Sequence, residues 1–335
     1  MNSKKILVTG GSGFIGTNLV NFLLKKKNKV TNIDKLSNLS TPERFKNKSD
    51  NYSFHKFNIS NEKKLKTVLL KNFDTVVHLA AESHVDRSID TPKKFFLENT
   101  KSTIFFYDQI KSLVVNRKIK SPNIIHISTD EVYGSVKKGS SKENSKIYTS
   151  SPYSASKASS ENIAQFYTET FKLKICILRI TNNYGPFQFP EKFVPKTILR
   201  IFEKKKIPLY GNGLNIREWM YVEDTCVAIN ILINKFKNKK IYNIGSNERL
   251  NNLSVLHKMF EKLNYKKNMI NLVKDRPGHD FRYALNSDLF RKEFNWKPIN
   301  DFNSGINKTI EWYKTNHSWI NEIKKKYKDY RLGNT

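Results

Sequence analysis

The sequence predicts an α/β protein: a doubly wound parallel sheet with a smaller, discontinuous second domain. Three observations carry this. Short apolar runs alternate with helix-length amphipathic stretches through the first half of the chain. The first apolar run passes into a glycine-rich segment that opens a helix. Beyond Gly185 the alternation stops, and Pro186, Pro190, Pro195 and Pro208 break up the chain.

The pattern places strands over 5–9, 29–34, 52–57, 75–79, 123–128 and 174–180. Helices fall between them at 14–26, 62–70, 92–113 and 153–171. The strands are almost continuously apolar, as in a sheet covered on both faces. Glycines 211 and 213 mark a loop, and Tyr242 to Gly245 reads as one more strand returning to the sheet. The nucleotide-binding domain is therefore set at 1–186 plus about 222–250, and the second at 187–221 plus about 251–330. The latter lies over the sheet edge where ligands bind. From about Lys324 the chain is a charged end expected to fray.

Bulk properties narrow the function. With 335 residues, 38% hydrophobic and 12% aromatic, the chain can bury a sizeable core. No run of about 18 apolar residues exists to span a membrane. The N-terminus enters a strand too early for a signal peptide, which points to the cytoplasm. Two cysteines, Cys176 and Cys226, sit in apolar runs and offer neither a disulfide framework nor metal spacing, so no metal is expected. The formal charge is +30, yet its lysines are spread along the chain beside asparagines, without interleaved stacking aromatics. A Lys/Asn bias explains them better than nucleic-acid binding does. A positive field still favours an anionic substrate.

The first strand runs into Thr9, Gly10, Gly11, Ser12, Gly13, Phe14, Ile15 and Gly16. Gly10, Gly13 and Gly16 allow a tight turn, close approach of backbone to a pyrophosphate, and close packing of helix on strand. The second strand ends at Asp34, placed to accept from the ribose hydroxyls of an adenosine. A carboxylate there repels a 2′-phosphate, so NAD is expected over NADP. Lys35, its neighbour, works against that discrimination.

Ser128, Thr129, Asp130 and Glu131 follow a buried strand, at the end of the sheet where active sites form. Tyr153 and Lys157 are one helical turn apart and share a face. An unperturbed phenol, with a pKa of about 10, is a poor base at neutral pH. A nearby ammonium and a hydrogen bond from Thr129 would favour its phenolate. It could then take a proton from a sugar hydroxyl while hydride leaves the same carbon for nicotinamide. The adjacent acids suit an elimination, in which one group takes a carbon-bound proton and another protonates the leaving hydroxyl. His78 and His84 read as core residues rather than catalysts.

On these residues the chain resembles the extended short-chain dehydrogenase/reductase superfamily, and within it the 4,6-dehydratases that act on dTDP-glucose. The likeness runs from Thr9 to about Trp312, and is most specific over 78–88, 128–134, 151–159, 182–186, 189–192 and 275–280. It implies a Rossmann domain, NAD as cofactor and a homodimer paired through 92–113 and 153–171. It also implies C4 oxidation by Tyr153, protonation of the C6 hydroxyl by Asp130 and removal of the C5 proton by Glu131. Hydride then returns to C6, giving a 4-keto-6-deoxy sugar nucleotide.

The resemblance puts Asp34, Lys35, Leu36, Ser37, Asn58, Ile59, Leu79, Ala80, Ala81, Ser83, Asn99 and Asn182 on the cofactor, beside the glycine loop, Tyr153 and Lys157. On the nucleotide-sugar side it puts Ser83, Asn183, Lys192, Phe193, Pro208, Leu209, Tyr210, Arg217, Asn252, Asp275, Arg276, Pro277, Gly278 and His279, with Thr129, Asp130 and Glu131. Guanidinium groups such as Arg217 and Arg276 suit a diphosphate. A surface ion pair between Arg217 and Glu218 is the structural alternative. The chain departs from the family pattern at Asn58, where an aspartate is usual, and in the order Asn99-Thr100. A UDP-sugar 4-epimerase would not need Asp130 and Glu131, and Asp34 argues against the NADP-preferring GDP-mannose dehydratases. A UDP-glucose dehydratase and an NAD-sensing protein without catalysis are the remaining alternatives.

Overall fold

A computed structural model describes residues 3–43 and 49–326, so the end of the charged tail, 327–335, lies outside the described residues. The first part of the chain forms β1 (Lys5–Thr9), α1 (Phe14–Lys25), β2 (Lys29–Asp34), β3 (Tyr52–Lys56), α2 (Glu62–Leu69) and β4 (Thr75–His78). Then come α3 (Val85–Asp90), α4 (Pro92–Phe95), a π-helical turn at Phe96–Lys101, and α5 (Ser102–Val115). These lead to β5 (Asn123–Thr129), α6 (Pro152–Phe171) and β6 (Lys174–Ile180).

The rest comprises β7 (Asn182–Tyr184), α7 (Phe193–Phe202), β8 (Ile207–Tyr210), β9 (Ile216–Tyr221), α8 (Val222–Asn234) and β10 (Ile241–Ile244). After these stand β11 (Arg249–Asn251), α9 (Asn252–Leu263), β12 (Ile270–Val273), α10 (Asp288–Phe294), α11 (Phe302–Thr315) and α12 (His317–Lys326).

Seven strands form one parallel sheet in the order β10-β6-β5-β4-β1-β2-β3. Alternation along β1 explains its two covers. Ile6 and Val8 pack with Leu19 and Leu23 of α1 and Ile229 of α8. Leu7 faces the other way, toward Leu65 of α2, Phe106 of α5 and Ile163 of α6. Each such aliphatic side chain contributes roughly 1.5–3 kcal/mol on burial. The strand order reverses between β1 and β4, so the loops leaving their carboxyl ends part and open a crevice.

Two small sheets, β11-β9-β7 and β12-β8, are built from strands that follow β6 in the chain. Tyr184, Trp219, Phe302 and Trp319 pack together there in a core of their own. The structure redraws the expected boundary in two places. β7 pairs with β9, and so belongs with the smaller sheet. α10 packs against the large sheet, where Phe290 and Phe294 meet Tyr242 of β10.

The helix expected over 92–113 also differs. It runs on to Val115 and carries the π turn in its first half. The extra residue in that turn brings Asn99 inward, where its side chain accepts from Glu82 N at 2.7 Å and donates to Glu82 O at 3.0 Å. α6 is tied to the sheet by a buried fork, with Arg179 Nη2 2.6 Å from Glu161 Oε2. This fixes the helix that carries both Tyr153 and Lys157.

Candidate active site

The crevice is a cavity of about 580 Å3 that runs from the glycine loop to α7 and β8. At its inner end Gly10 and Gly16 cannot be replaced. Gly10 has φ 74°, and a Cβ there would lie 2.7 Å from Ala80 N. A Cβ on Gly16 would lie 2.2 Å from Gly10 O. Gly13 caps α1, whose first turn holds no acidic side chain, and it lines the cavity with Phe14, Ile15 and Gly16. Bare amides at a positive helix end form a cradle that fits a pyrophosphate.

Asp34 closes the next part of the wall. Its carboxylate accepts from Ser12 N at 3.0 Å, Leu36 N at 2.8 Å and Ser40 Oγ at 3.2 Å. Lys35 does not soften this acidic corner: its ammonium is 3.0 Å from Glu82 and 2.9 Å from Glu98. The Asp34 carboxylate, with Lys35 already engaged by Glu82 and Glu98, makes this a poor place for a 2′-phosphate.

The catalytic candidates meet where β5 ends. Ser151 caps α6 reciprocally with Ser154, and Pro152 starts the helix, so Tyr153 sits in its first turn and Lys157 one turn on. Burial first, then the charge of Glu131, holds the Tyr153 phenol well above its usual pKa, while a hydrogen bond with Thr129 acts the other way. Lys157 donates to Ile127 O at 2.7 Å. Burial brings its ammonium down to about 8. Thr129, then, is the group that favours the phenolate here, and the ammonium is anchored on the strand.

Asp130 is buried behind Thr129. Its oxygens lie 3.2 Å from Thr129 Oγ1 and 3.1 Å from Thr181 Oγ1. Burial, then Glu131 and Glu218, push it up to about 8. Glu131 is on the cavity wall. Burial raises it, against the pull of Arg276, Arg217 and Lys192. Its Oε2 is buried without a hydrogen-bond partner among the described residues.

Cations gather on the far wall. Arg276 Nη1 is 2.6 Å from Asp86 Oδ1, and Tyr210 donates to Asp86 Oδ2 at 3.2 Å. Arg217 lies over the ring of Tyr283 at 4.3 Å and donates to Asp280 O. The alternative of an Arg217–Glu218 pair gives way to Glu218 pairing with Arg249 at 3.0 Å. Lys192 Nζ donates to Ser83 O at 2.9 Å.

Most of the expected residues converge. Gly10, Gly13, Phe14, Ile15, Gly16, Asp34, Lys35, Ser37, Asn58, Ile59, Leu79, Ala80, Ala81, Ser83 and Asn182 line the inner part. Asn183, Lys192, Phe193, Pro208, Leu209, Tyr210, Arg217, Asn252, Arg276 and His279 line the outer part, and Thr129, Glu131, Tyr153 and Lys157 stand between.

Six expected residues stand off that wall. Leu36 and Asn99 serve Asp34 and the backbone of Glu82, and Asp130 lies one layer back. Asp275 holds His279 Nδ1 at 2.6 Å, Gly278 makes a turn with φ 62°, and Pro277 lies between them. Sequence reasoning missed Ser40, Glu98, Asp86 and Tyr283. Asp86 lay inside the motif at 78–88, so its carboxyl could have been questioned; Tyr283 gave no signal.

A sequence model of the family described as GDP-mannose 4,6 dehydratase matches residues 7–309. The dTDP-glucose 4,6-dehydratase of Salmonella typhimurium is 39% identical over 96% of this chain and 95% of its own. A solved dTDP-glucose 4,6-dehydratase from Bacillus anthracis, in complex with NAD, has a TM-score of 0.87 at 36% identity, covering 96% of this chain and 100% of that one. The enzyme of that name from Streptomyces venezuelae, with NAD and TYD bound, has a TM-score of 0.89 at 33% identity, covering 95% and 99%.

The acidic corner around Asp34 can be tested by calorimetric titration. Asp34→Ala should weaken NAD binding about tenfold, the loss of hydrogen bonds to a charged acceptor, and narrow its lead over NADP. A parent protein that binds NADP as tightly as NAD would refute the assignment.

Proposed function

The chain belongs to the dTDP-glucose 4,6-dehydratases, and from that premise we propose how Tyr153, Asp130 and Glu131 divide the work. The reaction is that of a hydro-lyase: dTDP-glucose loses water and becomes dTDP-4-keto-6-deoxyglucose. Bound NAD supplies the acceptor of the C4 hydride and, once reduced, its return to C6.

Tyr153, as the phenolate that its hydrogen bond with Thr129 favours and that the positive ring of bound NAD would favour further, takes the proton of the C4 hydroxyl. The resulting ketone acidifies the proton on C5, and Glu131 removes it. Asp130 gives its proton to the departing C6 hydroxyl, and Glu131 later returns a proton to C5. The observation that carries this reading is the state of the two acids. Asp130 is pushed up to about 8, so at neutral pH it holds a proton to give. Glu131 keeps an unpartnered oxygen in the pocket beside Tyr153. Two carboxyls in unlike surroundings suit an acid and a base, and an epimerase has no use for them.

Arg276, Arg217 and Lys192 gather positive charge where the diphosphate would lie. Phe193, Pro208 and Leu209 supply an apolar lining for the base.

We further infer a cytoplasmic homodimer. No helix among the described residues is long and apolar enough to cross a membrane, and both cysteines are free and buried. Phe96, Leu97 and Ile104 on the 92–115 stretch and Phe166 on α6 are exposed, a surface that suits burial against a second copy.

Tyr153→Phe should abolish NADH formation on mixing with dTDP-glucose, and unchanged turnover would remove this phenol from the reaction. Glu131→Gln should still oxidise C4, seen as NADH absorbance, but release product at least about a hundredfold more slowly. Release at the parent rate would show that another group is the base at C5. Light scattering should give twice the 39.2 kDa chain mass; the mass of one chain would exclude the dimer.

A further inference from the structure

Thr181 links β6 to β7, is buried, and lines the cavity, yet no motif pointed to it. Its Oγ1 is 2.9 Å from Glu218 O and 3.1 Å from Asp130 Oδ2. A hydroxyl has one proton, and a main-chain carbonyl can only accept. The shorter contact therefore takes the Thr181 proton and leaves its lone pairs facing Asp130. An ionised carboxylate would set lone pairs against lone pairs, out of reach of water. A protonated carboxyl satisfies both contacts at once, donating to Thr181 while Thr181 donates to Glu218 O.

We propose that Thr181 is a positioning residue for the loss of water: anchored on the Glu218 carbonyl, its hydroxyl accepts a hydrogen bond from Asp130 and keeps that carboxyl loaded as the acid. This rests on Asp130 being the acid of the reaction. Other groups around Asp130 are Glu131 on its own turn, Glu218 and Arg217 on β9, and Tyr153 on α6. The two carboxylates favour the same protonated state. Arg217 opposes it, as Thr181 would if it were the donor.

The proton balance closes within the pocket. A half-turn of the carboxyl, a soft rotation, presents its proton to the hydroxyl of Thr129, which lines the cavity in front of Asp130 and passes a proton on to the sugar. The O–H bond of Asp130 breaks, the C6–O bond breaks, and water leaves with that proton, while the C5–H electron pair becomes the C5–C6 double bond and Glu131 holds the C5 proton. Hydride then adds at C6, and Glu131 returns its proton to C5. Tyr153 now carries the proton it took from the C4 hydroxyl, and Asp130 lacks one. Thr129, hydrogen-bonded to both, is the path by which it is restored.

The test compares Thr181→Val and Thr181→Ser in the whole protein with NAD and dTDP-glucose, following NADH formation and product release against pH. Thr181→Val should slow water loss about tenfold relative to C4 oxidation at neutral pH, part of what a general acid contributes. It should also move the alkaline limb of water loss down by roughly one pH unit, the worth of one hydrogen bond. Thr181→Ser should restore both. If the valine variant does not fold, Thr181→Ala removes the same hydroxyl and is read in the same way. A limb that stays in place or moves up overturns the proposal. Asp130→Asn that sheds water at the parent rate would overturn the reading of Asp130 instead.

Discussion

Burying two carboxyls and a phenol side by side at the end of β5 is the constraint that organises this molecule. In water these groups would ionise independently; here burial holds all three above their usual pKa. Such a pocket is stable only if nearby cations and hydrogen-bond partners offset the cost. Arg217, Arg276 and Lys192 do this from the outer wall, and each is itself held: by Tyr283 and Asp280, by Asp86, and by the carbonyl of Ser83. The same cations that offset the burial of Glu131 make a wall that suits a diphosphate.

The scaffold explains why this pocket faces the cofactor cradle. Reversal of strand order at β1 and β4 opens the crevice, and the glycine loop occupies the β1 side of it. β5, adjacent to β4, delivers Thr129 to Glu131 on the other side, and the capped start of α6 adds Tyr153. The two small sheets then bring Arg217 and Tyr210 to the outer wall. Reactive groups thus come from a rigid sheet, and specificity groups from the elements laid over it.

What was legible in the sequence was what is local. Near-continuous apolar strands, three glycines at a strand–helix junction, and a tyrosine and lysine one turn apart each have a short-range pattern with a physical cause. Asp130 and Glu131 were legible as a pair, but not the unlike settings in which they stand. Contacts between distant segments left no periodic trace: Asp86 reaches Arg276, and Lys35 is held by Glu82 and Glu98. The π turn within 92–115 was hidden because its residues favour a helix as much as their neighbours do. Its cause lies elsewhere, in the backbone of Glu82 that Asn99 must satisfy. Lys157 followed the same rule, since a carbonyl on β5, rather than sequence spacing, fixes its ammonium.

The central claim is that one pocket carries hydride from C4 of the sugar to C6 and removes and replaces the proton on C5. Turnover of unlabelled dTDP-glucose in heavy water, with the product read by NMR, tests this most directly. The account predicts solvent deuterium at C5, where Glu131 exchanges its proton, and none at C6, where hydride from C4 returns. Deuterium at C6 would contradict it.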